Sequence, residues 1–366
     1  MSFKIVFTGG GSAGHVTPNI ALIEHFQQQG WQAFYIGSYT GIERDIIKPL
    51  AIPYYGIATG KLRRHFSWRT FLTPWQVLLG TLQAFKLCRS LKPDAVFSKG
   101  GFVAFPVVVA AWLNRIPCFG HESDLTPGLA NRLSFAFLRK ICLTFPEGAN
   151  YFKNKQKIVI TGTPIRLALL QGQAEQGLAF CQFTASKPVL LVYGGGLGAE
   201  NINRTVRSVL TDLLKEFQVI HICGKNKLDN NFQDIMGYRQ FEYLNAELAN
   251  VLACASLVIS RAGANSIYEL LALKKLHILI PLSKKASRGD QICNADYFAK
   301  QGLSEVILEE ALTGPVLLAT IEKVLGQEAA IQQRLSQYAL PASVPLIYNL
   351  VISMVNPIQA DKSPPL

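Results

Sequence analysis

Three junctions in this chain pair an apolar run with a glycine-rich turn: Gly9-Gly10-Gly11-Ser12-Ala13-Gly14, Lys99-Gly100-Gly101-Phe102 and Gly194-Gly195-Gly196-Leu197-Gly198-Ala199. Glycine lets peptide N–H groups come close to a phosphate at the positive end of a helix. The first turn satisfies the G-x-G-x-x-G spacing of dinucleotide sites literally. The full fingerprint also needs an acid at the end of the second strand, to hold a ribose. Here that run ends Tyr35-Ile36-Gly37-Ser38, and the first acid, Glu43, comes several residues too late. His15 and Pro18, directly after the turn, also fit a nicotinamide site poorly. These residues argue against a nicotinamide oxidoreductase. Glycines that merely let a helix pack on a strand would explain one such turn more easily than two.

Ligands of an open α/β sheet lie beyond the carboxyl ends of its strands. The turns at 9–14 and 99–102 and the segment His121-Glu122-Ser123-Asp124 are therefore expected to converge on one rim. That rim would set His15, Lys99, His121 and Glu122 beside many backbone donors. Ser260-Arg261-Ala262-Gly263-Ala264-Asn265-Ser266-Ile267-Tyr268-Glu269 makes a second anion cradle at a helix start. Glu269, one turn in, either accepts two ribose hydroxyls or only offsets the helix dipole. Ser287-Arg288-Gly289-Asp290-Gln291, with Asn294 beyond, offers polar groups for sugar hydroxyls or simply a solvated helix start.

Short β-branched runs alternating with amphipathic ones must position these groups. Apolar runs at 3–8, 33–37, 94–98 and 117–120 are separated by helical patterns near 17–29, 68–91, 103–113 and 127–138. The series restarts at 189–193 and continues at 218–223, 256–260 and 277–281. This rhythm predicts an α/β fold of two doubly wound Rossmann-like domains facing a cleft. The first domain is expected over 1–163 and the second over 164–340; a helical pattern at 341–355 is placed back on the first domain, and the tail 356–366 is expected to fray.

Composition narrows the class. The 366 residues are 49% hydrophobic and 16% charged, which excludes a disordered or coiled-coil chain. Lys and Arg number 36 against 24 Asp and Glu, a balance of +12 that calls for an anionic partner. Seven scattered cysteines, none spaced as CxxC, read as reduced thiols in a cytosolic core. The most apolar stretch, 102–113, contains Pro106 and stops far short of the ~20 residues a membrane span needs. The N-terminus reads as a buried strand rather than a signal peptide.

From Ile46 to Val96 the only acid is Asp94, while Arg63, Arg64 and six further cations interleave with Trp68, Trp75 and other apolar residues. Basic and aromatic residues together suit an anionic bilayer surface, where each cation contributes roughly 1 kcal/mol. Nucleic acid is the competing partner, but no zinc spacing, RNA-binding sheet motif or basic helix of recognised type is present. A core helix with a solvated basic face is the plainer alternative.

In their order along the chain, the 9–18 turn, Lys99–Phe102, His121–Asp124, the 194–199 turn and Arg261–Glu269 resemble the MurG family, over residues 3 to about 350. The resemblance implies a GT-B glycosyltransferase, peripheral on the cytoplasmic face of the bacterial membrane. It would move GlcNAc from UDP-GlcNAc to the MurNAc C4 hydroxyl of undecaprenyl-linked lipid I, giving lipid II and UDP with inversion to a β linkage. No Asp-x-Asp motif is present, so no metal or other cofactor is expected at the donor. The resemblance assigns the donor to Leu244 (uracil, through its backbone), Glu269 (ribose), Ala264, Asn265, Ser266, Ile267 and Tyr268 (sugar and phosphates) and Gln291 (GlcNAc hydroxyls). Arg166, Gly196 and the loop Ser12, Ala13 and Gly14 join them. Gly10, Gly11, Gly100 and Gly101 would hold the acceptor diphosphate, with His15 as candidate base and Glu122 as a weaker one.

Two departures bear on those assignments. Asp124 stands where many members have Asn, and Gly196 stands where they have Ser, which removes a hydroxyl from the phosphate site. The extra glycine in the first turn leaves its alignment ambiguous by one residue. Another UDP-sugar enzyme of this fold, such as a UDP-GlcNAc 2-epimerase or a glycolipid glycosyltransferase, is the alternative, with a non-catalytic basic module outside the class. If the basic stretch meets anionic lipid, Arg63→Glu with Arg64→Glu weakens binding to anionic vesicles, most visibly at low salt. Unchanged vesicle co-sedimentation would remove these two residues from the membrane reading.

Overall fold

The computed structural model describes residues 2–60, 73–194 and 199–355. Arg63, Arg64, Trp68 and Gly196, and the tail 356–366, lie outside the described residues. The chain divides into two compact units, one running to Ile165 and resumed from Pro341, the other Arg166–Leu340.

The first unit is built on seven parallel strands: β1 Lys4–Thr8, β2 Gln32–Ser38, β3 Tyr54–Ile57, β4 Ala95–Ser98, β5 Cys118–Glu122, β6 Lys140–Leu143 and β7 Ile158–Ile160. Their order is β3-β2-β1-β4-β5-β6-β7. Strand order therefore reverses between β1 and β4, which pair in register with Thr8 opposite Ser98. The connections leaving β1 and β4 pass to opposite faces, and a crevice opens at their carboxyl ends.

Side chains alternate along β1 because successive residues of a strand face opposite ways. Ile5 and Phe7 join one core with Leu22, Phe26, Ile347 and Val351; Val6 joins the other with Ala84, Val107 and Val108. Helices Thr17–Gln28 and Ser343–Val355 cover the first face, and helices Thr73–Leu91 and Ala104–Leu113 the second. The C-terminal helix is thus part of the first unit. Its Tyr348 ring stands edge-on to Phe26 at 5.1 Å. Pro106 falls in the first turn of its helix, where no intrahelical N–H is lost.

The second unit carries six parallel strands: β8 Val189–Tyr193, β9 Gln218–Ile222, β10 Tyr238–Phe241, β11 Leu257–Ser260, β12 Leu276–Leu279 and β13 Glu305–Val306. Their order, β10-β9-β8-β11-β12-β13, places the reversal between β8 and β11. Both glycine-rich or small-residue turns of this half leave those two strands.

Strands β3, β6, β7, β10 and β13 are not among the apolar runs read from the sequence. They are short, and β3, β7, β10 and β13 lie at sheet edges. An edge strand is covered less and its residues need less apolar character. All seven cysteines are free thiols, five of them buried.

Phe26 is fully buried and packs its ring against Phe7, Trp31 and Tyr348. Phe26→Ala is expected to destabilise the first unit by about 3–5 kcal/mol. Urea unfolding followed by tryptophan fluorescence measures it, and a loss below about 1 kcal/mol would contradict this account of the core.

Candidate active site

The first crevice is lined by two glycine turns that touch backbone to backbone. Gly10 N–H donates to Gly100 O at 3.3 Å. A Cβ on Gly101, whose φ is +81°, would lie 2.1 Å from Gly10 O, and one on Gly11 (φ +86°) would strike the Phe102 ring. Only glycine permits this approach. The structure therefore brings together Gly10, Gly11, Gly100 and Gly101.

His15 follows in a single 3-10 turn, Ala13–His15, at the entry to helix Thr17–Gln28. Its Nδ1 lies 2.9 Å from Ser12 Oγ, so Ser12 orients the imidazole. His15 is half-buried, whereas His121 is fully buried, with Nε2 bonded to Gly162 O at 2.8 Å. Burial, aided by Lys99, holds His121 well below the usual imidazole range, so it stays neutral.

Glu122, the weaker candidate base, is held by the loop that follows it. Its buried carboxylate accepts Asp124 N–H at 3.0 Å, Gly128 N–H at 2.9 Å and Asn131 Nδ2 at 2.9 Å. A carboxylate engaged by three donors ties down the 123–128 loop. Lys99, also buried, reaches across to the same loop, with Nζ 2.5 Å from Ser123 Oγ.

Glu43 is the functional residue that sequence reasoning passed over. It is fully buried beneath the first turn, where its carboxylate accepts Gly11 N–H at 3.3 Å, Ser38 N–H at 3.0 Å and the Ser38 hydroxyl. Too late in sequence for a ribose acid, it instead braces the turn from below. The available signal was the first acid following the second strand of a glycine-turn unit.

In the second unit, Gly263 caps helix Ala264–Ala272 without a side chain, leaving the first turn to peptide groups. Glu269 pairs with Arg166 at 3.3 Å. Burial raises the Glu269 carboxyl above its ordinary range and Arg166 opposes that shift. Ala264, Ile267 and Tyr268 are buried, and the Tyr268 ring packs edge-on to Phe298. The side chains of Ile267 and Tyr268 belong to the core, so any ligand contact from them is through the backbone. Gln291 Oε1 accepts Leu282 N–H at 3.0 Å. Leu244 is half-buried on the same core as Tyr193. Arg261 is committed elsewhere: it bonds Glu309 and Ile280 O, and Glu309 in turn accepts Ser283 N–H at 3.1 Å. That pair fixes the turn after β11 to the loop after β12.

Comparison with known proteins agrees with this architecture. The glycosyltransferase family 28 N-terminal domain matches residues 5–143, and the family 28 C-terminal domain matches residues 189–344. A Legionella pneumophila (strain Paris) protein is named UDP-N-acetylglucosamine–N-acetylmuramyl-(pentapeptide) pyrophosphoryl-undecaprenol N-acetylglucosamine transferase. It is 56% identical over 351 residues, covering 96% of this chain and 97% of its own length. A Bacillus cereus (strain ATCC 10987) transferase of the same name, numbered 2, is 51% identical over 335 residues, 92% of this chain and 95% of its own. The crystal structure of Acinetobacter baumannii MurG superposes with a TM-score of 0.73 at 24% identity, covering 96% of this chain and all of that one. The chain belongs to the MurG family.

The fold it shares with MurG is wider than the family. UDP-GlcNAc 2-epimerase from Neisseria meningitidis, solved bound to UDP-GlcNAc, gives a TM-score of 0.67 at 12% identity over 96% of this chain. Such a likeness shows the fold alone, whereas the identity to the MurG relatives runs through both units.

Lys99 makes a pH test of the first rim. Burial pulls its ammonium down to about 8 from 10.5, against the opposing pull of Glu122 and Asp124. Between those two values the unfolded chain binds more protons than the native one, so stability rises with pH in that window and the penalty is complete below it. Relative to Lys99→Met, the wild type is expected to gain up to about 3 kcal/mol between pH 7 and pH 10.5. Parallel urea titrations of both proteins would show a constant difference if Lys99 is charged at all these pH values.

Proposed function

We propose that this chain transfers GlcNAc from UDP-GlcNAc to the MurNAc C4 hydroxyl of undecaprenyl-linked lipid I, with inversion, releasing lipid II and UDP. The observation that carries the reading is 56% identity over 96% of the chain to a transferase of that name, on a frame with two peptide-lined turns. The second unit takes the donor: Glu269 the ribose, the 264–268 turn the sugar and phosphates, the Leu244 backbone the uracil, Gln291 the GlcNAc hydroxyls. Arg166 and Gly196 serve the same ligand, and the loop Ser12, Ala13 and Gly14 adds to it. Gly10, Gly11, Gly100 and Gly101 of the first unit take the acceptor diphosphate.

His15 acts as base for the acceptor hydroxyl proton, with Ser12 Oγ, 2.9 Å from its Nδ1, orienting the ring. The C4 oxygen then forms its bond to the sugar C1 while the C1–O bond to the diphosphate breaks, and UDP leaves with that electron pair. Peptide N–H groups and the positive end of helix Ala264–Ala272 stabilise the departing charge. No metal ion enters this scheme.

The first unit is also the membrane-facing one in this reading. Trp75, Leu78, Leu79 and Leu82 are all exposed on helix Thr73–Leu91, at the i, i+3, i+4, i+7 spacing of one helical face. Trp112 and Leu113 are exposed on the neighbouring helix, beside a hollow of about 540 Å³ lined by Trp112, Arg115, Arg139 and Lys157. Apolar and cationic groups so combined favour an anionic lipid surface over nucleic acid, which supports peripheral attachment at the cytoplasmic face of the membrane. No helix among the described residues is long and apolar enough to cross a membrane.

Incubation with UDP-GlcNAc and a lipid I analogue, in the presence of EDTA, tests the whole scheme. Acceptor-dependent UDP release is expected; epimerised sugar, or activity abolished by the chelator, would overturn it. In the same assay His15→Ala should lower turnover about 10²–10⁴-fold with donor affinity little changed, and near-normal turnover would exclude His15 as base.

A further inference from the structure

Tyr193 ends β8, the central strand at which order reverses in the second sheet, and leads directly into the 194–199 glycine turn. Its ring packs against the core that includes Leu191, Val258 and Leu270. The hydroxyl does not share that apolar setting. Its surroundings are the Glu269 carboxylate, the Arg166 guanidinium and the Ser260 and Ser266 hydroxyls.

Among the described residues this hydroxyl is buried with no hydrogen-bond partner, and so is Nε of Arg166. A buried polar atom left unpaired is unusual and calls for a reason. Here two such donors flank one carboxylate, Glu269, which is itself only singly paired, at 3.3 Å, with Arg166. Burial raises the phenol far above neutral, so it is a donor at any working pH. Ser260 is already turned inward, its hydroxyl donating to Arg261 O at 2.9 Å.

We propose that Tyr193 is a nucleotide-binding residue of this chain, its hydroxyl donating a hydrogen bond to a ribose or phosphate oxygen of the bound uridine diphosphate. The proposal rests on the donor reading of the second unit and adds to it a residue outside the set the resemblance assigns. Ser260 and Ser266 stand close enough to influence the hydroxyl, yet it makes no hydrogen bond to the protein, so its removal is expected to act on the complex rather than on the unliganded protein.

Tyr193→Phe keeps the ring and deletes only the hydroxyl. Titration calorimetry is expected to show UDP binding about 5–10-fold more weakly, the worth of one neutral hydrogen bond. KM for UDP-GlcNAc should rise by the same factor with kcat nearly constant, and the unliganded melting temperature should hold or increase. Uridine separates the two oxygens: weaker uridine binding assigns the ribose, unchanged uridine binding with weakened UDP assigns the phosphate. Unchanged UDP affinity in Tyr193→Phe, while Glu269→Gln loses UDP, would leave the donor reading standing and remove Tyr193 from it. A lowered unliganded melting temperature with lost binding would make Tyr193 structural and overturn the proposal. A wild-type protein that binds no UDP would bring down the donor reading, and this inference with it.

Discussion

Everything on the first rim depends on a contact in which no side chain takes part. Gly10 and Gly100 bond through their backbones at 3.3 Å, and Gly101 faces Gly10 O so closely that even a methyl group would collide. The two loops leaving β1 and β4 are thereby locked to each other at the reversal of strand order, with peptide groups as the lining. Charged residues brace this lining from behind. Glu43 holds Gly11 from below, and Glu122 and Lys99 secure the 123–128 loop. Each buried carboxylate accepts from several donors, the condition under which a buried anion is tolerable.

The second unit solves the same problem with different residues. There the turn after β11 is held by Arg261 and Glu309, which also fasten the loop after β12. Arg261 would be a natural phosphate ligand by type, but its guanidinium is spent on protein acceptors. Arg166, with one nitrogen on Glu269 and a second unpaired, is the cation that retains capacity for a ligand. An arginine's position in a motif is therefore a weaker guide than the acceptors around it.

Much of the frame was legible in the sequence because parallel strands buried on both faces are continuous apolar runs. The runs at 3–8, 94–98, 189–193 and 256–260 correspond to the four strands flanking the two reversals. The edges were not legible. β13 has two residues, and β7 is partly exposed, so neither needs a run long enough to stand out. The rim itself could be anticipated from glycine placement, including the meeting of the turns at 9–14 and 99–102. The roles of individual acids could not be. Glu122 is an acid beside a histidine at a strand end, and its three donors from the following loop could not be read from that position. Glu43 was read only as too late for a ribose acid, because sequence distance hides how helix Ile42–Ile47 returns it beneath Gly11.

A common division of labour follows from these placements. Ionisable side chains on both rims are mostly paired inward, to loops and to one another, while peptide amides line the turns. Such a surface is already organised before an anion arrives, so little reorganisation opposes charge that develops on a leaving diphosphate. It also explains why substitution at the turns is confined. The backbone path around Gly10, Gly11, Gly100 and Gly101 leaves no room for a side chain. The few polar groups not paired inward, Tyr193 and Arg166 among them, then stand out against a background of satisfied partners, and specificity for one ligand has to be written in those.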